Sequence, residues 1–383
     1  MKRSFFLIFL FCLAVSASGQ KSRVLAVMQM IDAKKYAEAK EAIELAVWND
    51  RTSNWHRTYY AKGLLCQTAY EEGVEKKDNK ITKLYEDQLY LAYESYEKAV
   101  ELDVNGRKHS AVSQKYYLLS NDFRKLGLEH YAKHEYQEAL RAFEHALLVI
   151  NSKLVTVPAD TNLVYNTAMV AYESENWEKA IGYLSGLHED AYAQNVSLLL
   201  VDAHLQNGDT LQAEAVLMEG VKLYEYSDTL VLYLVNWLAG TDKKDLAIEI
   251  LNEAIETHPD NFRFHWALGL VYRRMDNSEE AIKSLKVATE LTTEKPAELY
   301  YHVGVCYYNT GIDLRENALQ ISENDEYQVV RNQYLAQFRE AVKWLEISYE
   351  LDPTSEKTIT KLSLLYFQLQ MREKQETFEQ LMQ

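Results

Sequence analysis

Small residues recur at fixed intervals along this chain, and the repeat constrains the fold more than any other feature of the sequence. Gly269 precedes Ala281 by twelve residues and Ala288 follows it by seven, and Gly127 and Ala139 repeat the first of these offsets. Alanines that match Ala281 stand at positions 39, 92, 139, 180, 213, 247, 281 and 341. The intervals between the four from 180 to 281 are 33, 34 and 34 residues, a period typical of a helical solenoid.

The repeat has a packing explanation, because a small residue on each of two antiparallel helices lets their backbones approach closely. A large side chain four residues after each central alanine is then expected to fill the seam: Ile43, Tyr96, Phe143, Leu184, Leu217, Leu251, Leu285 and Leu345. Only four prolines and thirteen glycines interrupt the chain, and it has no run of alternating strand pattern. The sequence predicts an all-α protein, a right-handed superhelical α-solenoid of about eight antiparallel helix hairpins.

These residues resemble the tetratricopeptide repeat (TPR) family. The set that stands at the family's spacings around Ala281 is Leu268, Gly269, Tyr272, Ala281, Leu285 and Ala288. Pro259 and Pro353 close two repeats, each twelve residues after a central alanine. The resemblance covers residues 20–383 and ends in a degenerate capping repeat at 355–383. It implies that the first helix of each hairpin lines a groove in which partners bind.

Three segments depart from the regular repeat. Gly63 is followed by its matching Ala92 after 29 residues, and Gly304 by Ala341 after 37, instead of twelve. Both insertions keep apolar residues at helical spacing, so we interpret 63–92 and 304–341 as extended hairpins whose two helices project beyond the solenoid. The alternative, a disordered tip, is favoured more for the shorter one by its Lys, Asp and Asn content. The stretch 151–160 (NSKLVTVPAD) reads as a loop between repeats.

The N-terminus carries a targeting pattern. Lys2 and Arg3 precede an apolar run from Phe5 to Val15, and small residues follow up to Gly19. This arrangement predicts a secretory signal peptide at 1–19, export through the Sec pathway, and a location in the periplasm or cell envelope. Cys12 lies within the apolar run behind large residues, so we interpret it as part of that run and not as a lipidation site.

Charge and cysteine content narrow the possible partners. The formal net charge is −16, which disfavours nucleic acid and anionic membrane surfaces as partners. After the apolar run at the N-terminus, no stretch is long enough to span a membrane. Beyond that run the cysteines are Cys66 and Cys306. Both lie in apolar segments that are predicted to be helical, so we expect buried free thiols.

Motifs for catalysis or cofactor binding are missing from the sequence. There is no phosphate-binding glycine loop and no nucleophile elbow, so we predict a protein that is not an enzyme and has no cofactor. His130 and His134 have the spacing of a helical metal pair, but the acid of a catalytic zinc motif is missing between them, and we expect no metal there. Two DTL triplets, at Asp209 and Asp228, resemble an O-glycan acceptor motif of exported Bacteroidetes proteins, although helix N-caps explain them more simply.

The candidate binding residues lie on the first helices of the hairpins. Arg263, Trp266, Leu270 and Arg273 are spaced by 3, 4 and 3 residues and therefore share one helix face. Equivalent positions in other hairpins are Tyr301, Val305 and Tyr308; Tyr165, Met169 and Tyr172; Arg57, Tyr60 and Leu64; and Arg124 and Tyr131. For any single tyrosine, packing between repeats is the better interpretation. Together, a face rich in aromatic residues and arginine is typical of a protein-interaction surface.

Two functions fit these observations. The first is a non-enzymatic, exported scaffold that binds a segment of a partner protein in the groove. The resemblance to exported bacterial TPR proteins of the Bacteroidetes type implies a role in assembly of the cell envelope. The second is glycan binding on aromatic platforms. Glycan-binding relatives of this architecture carry a lipidated cysteine after the signal and long loops around the sugar site. Neither is seen in this sequence, so the first function is the prediction.

Overall fold

The computed structural model describes residues 19–158 and 160–381, and over these ranges the chain forms α-helices without any β-strand. The predicted all-α solenoid is confirmed, since the helices pack against one another in hairpin pairs. The signal-peptide prediction, apart from Gly19, lies outside the described residues. Within those residues, no helix is both long enough and apolar enough to cross a membrane. The chain divides into two compact units, residues 1–208 and 209–383.

Within the described residues, unit 1 contains ten helices. The first of them, α1, covers residues 19–32. The others are α2 (Tyr36–Val47), α3 (His56–Lys76), α4 (Asn79–Thr82), α5 (Gln88–Leu102), α6 (His109–Ala132), α7 (Tyr136–Ile150), α8 (Thr161–Glu173), α9 (Trp177–Glu189) and α10 (Gln194–Gln206). The described residues of the loop predicted at 151–160 contain no regular helix. Asp160 caps α8 by accepting from the Leu163 backbone N–H at 3.0 Å.

Unit 2 contains nine helices within the described residues. They are α11 (Thr210–Leu223), α12 (Asp228–Gly240), α13 (Lys244–Thr257), α14 (Phe262–Arg274), α15 (Ser278–Leu291), α16 (Ala297–Ala318), α17 (Asn324–Leu351), α18 (Glu356–Gln368) and α19 (Arg372–Leu381). Of the two DTL aspartates, Asp209 caps α11 by accepting from the Gln212 backbone N–H at 3.1 Å. Asp228 is instead the first residue of α12 and accepts a hydrogen bond from the Asn261 side chain.

The seam between paired helices has the composition that the repeat predicts. All eight central alanines are buried, and so are the eight large side chains that follow them by four residues. Where the first helix carries glycine, the contact is too close for a side chain. A Cβ on Gly269 would lie 2.5 Å from Cγ of Leu285, and one on Gly127 would lie 2.9 Å from the Phe143 ring. The glycines therefore set the distance between the paired helices.

A recurring backbone turn starts the second helix of the regular hairpins. Five residues before the central alanine, the backbone adopts a positive φ, at Lys34 (59°), Asp87 (51°), His134 (61°), Glu175 (56°), Gly208 (83°), Asp242 (63°) and Asp276 (55°). This left-handed conformation lets the first helix end and the chain reverse within a few residues. The sequence pattern did not predict this position, because glycine, the usual signal for it, occurs there only once.

The two insertions differ from each other. The longer one forms two long helices, α16 with 22 residues and α17 with 28. In the shorter one only α3 is long, with 21 residues, and α5 begins after the usual turn at Asp87. Residues 77–87 between them fold back through the four-residue helix α4. The expectation of two projecting helices at 63–92 is therefore wrong for the second helix.

Candidate functional site

Unit 2 has a cleft between the first helices of two successive hairpins. α12 lies against α14, and α14 lies against α16, so first helices form one continuous side of this unit. The cleft has a volume of about 340 Å³. It is lined by Leu232, Val235, Asn236 and Ala239 from α12 and by Arg263, Trp266, Ala267, Leu270, Val271 and Arg274 from α14. Three of the predicted groove residues of α14, namely Arg263, Trp266 and Leu270, therefore share it.

The α12 wall was missed by sequence reasoning, although the repeat contains the signal for it. Leu232 and Asn236 stand 34 residues before Trp266 and Leu270, which is the repeat period in this part of the chain. Equivalent positions of neighbouring repeats lie side by side in a solenoid. Subtracting the period from the predicted face would have found them.

The Trp266 side chain packs against its own hairpin and also lines the cleft. Its ring stacks on Phe262 with centroids 6.5 Å apart, lies at the same distance from the His302 ring, and packs against the buried residues of this hairpin. Its Nε1–H is buried and donates to no acceptor in the described residues. The indole thus lines the cleft while its one polar group lacks a partner.

The arginines around the cleft are not equivalent. Arg263 is held by two carboxylates, Glu294 at 2.8 Å and Asp228 at 3.6 Å. Arg274 lines the cleft, is exposed, and forms no ion pair with any described residue. Arg273, which the sequence analysis had placed on the cleft face, does not line the cleft. Arg274 therefore supplies an uncompensated positive charge there.

Arg273 does not line the cleft but influences two titratable residues of α16. Burial lowers the pKa of His302 to about 4, and the Arg273 charge adds to that effect, so the imidazole is neutral at pH 7. The same charge opposes the effect of burial on Cys306, whose pKa is raised to about 11. The Nε of Arg273 and the Nδ1 of His302 are both buried without a hydrogen-bond partner in the described residues. Arg273 is therefore packed towards the neighbouring helix.

Tyr301 and Tyr308, the predicted groove tyrosines of α16, face lysines of α18. Lys357 Nζ lies 4.8 Å from the Tyr301 ring centroid, and Lys361 Nζ lies 4.2 Å from that of Tyr308. Lys357 also pairs with Glu298 at 2.6 Å, whereas burial lowers the pKa of Lys361. Both rings are thus partly covered by cationic side chains of the next hairpin.

In unit 1, predicted groove residues of α8 make contacts within the repeat array. Tyr165 stacks on Tyr192 with centroids 5.4 Å apart and accepts a hydrogen bond from Asn195. The Tyr172 hydroxyl donates to Asp202, and its ring contacts that of Trp177 at 5.3 Å. These two tyrosines join neighbouring hairpins.

The groove residues of α3 and α6 lie in different settings. Arg124 pairs with Asp160, and Tyr131 is 37% exposed beside the Tyr136 ring. Arg57 is exposed, and Tyr60 is buried at 7% exposure. Of these four, Arg57 is the cation that has no carboxylate partner in the described residues.

The chain is similar to one known protein family. A family model described as ChAPs (Chs5p-Arf1p-binding proteins) matches residues 98–319, more than half of the chain. The chain belongs to the ChAPs family. The ChAPs match begins within α5 and ends just after α16, so it includes both walls of the cleft. Comparison with curated proteins gives no match.

The repeated helix hairpins confirm the resemblance to the TPR family. The chain is also similar to several solved structures. A TPR repeats protein from Bacteroides fragilis NCTC 9343 has 19% identity, covers 65% of this chain and 98% of its own, and gives a TM-score of 0.37. Human IFIT1, in a dimer with m7Gppp-AAAA, has 16% identity, with coverage of 84% and 67% and a TM-score of 0.38. MamA MSR-1 has 19% identity, with coverage of 49% and 98% and a TM-score of 0.31.

The histidines considered as metal ligands have local partners. His130 Nδ1 lies 2.5 Å from a Glu135 oxygen, and His134 Nδ1 lies 2.8 Å from the Tyr136 hydroxyl. Among the described residues of this ChAPs member, no group of three or more His, Cys, Asp or Glu could hold a metal ion. Cys66 and Cys306 are buried free thiols, and burial raises the pKa of Cys66 to about 12.

A second, wider cleft in unit 1 was also missed by sequence reasoning. It has a volume of about 870 Å³ and lies beside the shorter insertion, between the ends of α3 and α6. Its lining includes Lys77, Lys83 and Glu86 from the insertion together with Tyr70 and Tyr90. The excess length between Gly63 and Ala92 was the signal that this part of the surface differs from a regular repeat. Because its lining mixes both charge signs, the chemistry does not select one class of ligand.

Proposed function

We propose that this protein is a non-enzymatic scaffold that binds a segment of a partner protein in the α12/α14 cleft. The observation that carries the proposal is the lining, which combines apolar side chains and the Trp266 indole with the unpaired Arg274 guanidinium. Tryptophan and arginine contribute disproportionately to protein-interaction energies. A chain with a formal net charge of −16 that keeps an arginine unpaired beside an apolar cleft has a surface suited to a specific partner.

The cleft chemistry indicates what the segment carries. An apolar or aromatic side chain would fill the floor around Trp266 and Leu270, and a carboxylate would pair with Arg274 in the bidentate geometry that guanidinium groups favour. Arg263 already pairs with Asp228 and Glu294, so it helps to shape the cleft and does not supply a free charge. The family name, Chs5p-Arf1p-binding proteins, also supports protein partners.

We also propose that the protein is exported. The pattern of Lys2, Arg3 and the apolar run from Phe5 supports secretion, and it would place the scaffold in the periplasm or at the cell envelope. Assembly of an envelope complex is then the process in which such a scaffold would act. Mass spectrometry of the exported protein tests this part separately, since a chain that begins at Gln20 supports export and one that begins at Met1 contradicts it.

Peptide selection tests the cleft directly. A phage-displayed library of random peptides is selected on the full chain, and the enriched peptides are measured by fluorescence polarisation. We expect peptides that combine an aromatic or large apolar residue with an acidic one. Trp266→Ala should weaken them by roughly 30-fold, which corresponds to about 2 kcal/mol for an interface hot spot. Arg274→Glu should weaken acidic peptides by a similar factor.

Two controls separate binding from folding. Arg339→Glu makes the same charge change on an exposed arginine of α17 and should leave peptide affinity unchanged. Trp344→Ala removes a tryptophan that stacks on Tyr300 away from the cleft lining, and it should lower the melting temperature without changing the affinity of the folded protein. If Trp266→Ala and Arg274→Glu remain folded and bind normally, the cleft is not the binding site. Enrichment only on glycan arrays would favour the alternative function.

A further inference from the structure

The first turns of α3 and α6 are surrounded by an excess of positive charge. Lys21, Arg57, Arg107 and Lys108, here called the cation cluster, form no ion pair with any described carboxylate. Elsewhere in unit 1 lysines are commonly paired, as Lys98 is with Glu101 at 2.8 Å and Lys133 with Glu129 at 2.7 Å. In a chain with a formal net charge of −16, four unpaired cations in one place are unexpected.

Aromatic rings hold three of the four cations of this cluster in place. Lys21 Nζ and Arg57 Cζ lie 5.3 and 5.6 Å from the Trp55 ring centroid, and Lys108 Nζ lies 4.9 Å from that of Tyr60. Tyr60 is itself buried. Cation–π contacts of this kind stabilise a charge but do not neutralise it. The rings therefore fix the positions of these groups and leave their charge available to a ligand.

The turn before α6 brings Arg107 and Lys108 to the same place. Gly106 adopts φ 65°, a left-handed conformation, and the chain then continues into Arg107 and Lys108. Asp103 accepts a hydrogen bond from the Lys108 backbone N–H and is buried, so it holds the turn. Its single negative charge opposes four positive ones.

Two histidines of these first turns have buried ring nitrogens without partners in the described residues, Nδ1 of His56 and Nε2 of His109. Burial lowers the pKa of His56; Asp103 opposes that effect, and Arg57, Lys108 and Arg107 add to it. These interactions place His56 within the field of the cation cluster. Unpaired buried polar atoms are costly, so a ligand that accepts hydrogen bonds here would be stabilised.

The N-terminal ends of α3 and α6 add to the positive electrostatic potential of the cation cluster. Neither α3 nor α6 has an acidic residue in its first turn or a side chain that caps its N-terminus. The partial positive charge at a helix N-terminus favours an anion, and it adds to the four side-chain charges.

We propose that the cation cluster is a binding site for a phosphate monoester. Four cations against one carboxylate exceed what a single carboxylate ligand can balance, whereas a phosphate monoester carries about −1.5 to −2 charges at pH 7 and offers three acceptor oxygens. Arg57 and Arg107 can bind those oxygens in the paired geometry that guanidinium favours for phosphate, and the ring nitrogens of His56 and His109 can donate to the others. This site lies in unit 1 and does not depend on the α12/α14 cleft.

Calorimetric titration of the full chain with glycerol 2-phosphate and with inorganic phosphate tests the site, with acetate as the monoanion probe. We expect both phosphates to bind and acetate to bind at least tenfold more weakly. The double variant Arg107→Gln, Lys108→Gln should weaken glycerol 2-phosphate at least tenfold. The matched control Lys98→Gln, Lys133→Gln removes the same charge from paired lysines and should change the affinity less than twofold.

Several outcomes would overturn the proposal. Wild-type protein that binds none of the soluble phosphates excludes the site, and acetate that binds as tightly as phosphate excludes selection for a dianion. Equal losses in the two double variants would mean that overall charge, not this cluster, attracts the anion. Binding to phosphatidylcholine vesicles that contain phosphatidic acid, without binding of glycerol 2-phosphate, would identify a membrane surface instead. A melting temperature near wild type for both double variants ensures that lost binding is not lost folding.

Discussion

The insertion between Gly63 and Ala92 and the insertion between Gly304 and Ala341 interrupt the same point of the repeat, yet they end in different structures. In the first, the chain leaves α3, folds back through α4 and then makes the turn that precedes α5. In the second, α17 begins early and runs without a break through the position where the other hairpins turn. The difference shows that the length of an insertion does not decide whether both helices are extended.

One residue position accounts for the contrast. Five residues before the central alanine, the first insertion has Asp87 with φ 51°, whereas the second has Ala336 inside α17. Aspartate tolerates the left-handed conformation because its short polar side chain can hydrogen-bond locally, and alanine is the residue that most favours a continuous helix. The returning helix therefore starts at the regular turn in one hairpin and well before it in the other.

The packing of the inserted segments differs as well. A Cβ on Gly73 would lie 2.6 Å from the backbone N of Thr82, so α4 rests directly on the backbone of α3. A Cβ on Gly311 would lie 2.6 Å from the ring of Phe338, a buried side chain of α17. The first insertion is thus held by contact between two backbones and the second by contact between a backbone and a side chain.

A proline in α17 should give the largest difference between the two insertions. Gln333 is exposed inside this helix, and Gln333→Pro should destabilise it by about 3 kcal/mol or more, because it removes a backbone hydrogen bond and its ring clashes with the preceding turn. Hydrogen exchange should show lost protection over 324–335 while the segment around Ala341 stays protected. Gln333→Ala, which leaves the helix intact, is the control. Unchanged exchange in the proline variant would contradict a continuous α17.

Alanine at the two packing glycines should give the next largest effect. Gly73→Ala should destabilise the protein by about 2 kcal/mol, because the backbone of α4 has to move away from the new methyl group. Gly311→Ala should cost about 1 kcal/mol or less, since the Phe338 ring can tilt and alanine is the better helix former. Urea denaturation measures both, and hydrogen exchange at 78–82 shows whether α4 has detached. A larger loss for Gly311→Ala would reverse the assignment of the two contacts.

The repeat predicted the interior of the molecule well because burial there depends on side-chain size alone. Ala281 and Leu285 are buried where the seam requires them, and the same offsets locate their counterparts along the chain. The sequence did not predict that the first insertion folds back, because apolar residues keep helical spacing throughout it. It depends on the conformation of Asp87, and no glycine marks that position.

The candidate site was predicted in part. Trp266 and Leu270 line the cleft as their spacing suggested, but the spacing could not choose between Arg273 and Arg274. Adjacent residues on a helix point about 100° apart, and the tilt of α14 against α12 and α16 decides which arginine enters the cleft. His56 and His109 were missed for a related reason, since their unpaired nitrogens become visible only when two helix starts lie side by side.

The smallest expected effects come from Ala and Asn at positions 87 and 336. The order of stability of these two residues should be opposite at the two positions. At Asp87, Asn keeps the tolerance for a left-handed backbone and removes only the exposed ion pair with Arg141, which lies at 2.8 Å, whereas Ala removes both. Asp87→Ala should therefore be less stable than Asp87→Asn by about 1 kcal/mol. At Ala336 the order should invert, because Asn lowers helix stability relative to Ala by about 0.7 kcal/mol inside α17. Urea denaturation of Asp87→Ala, Asp87→Asn, Ala336→Asn and the wild type gives both differences. The same order of Ala and Asn at the two positions would mean that this residue does not determine where the returning helix begins.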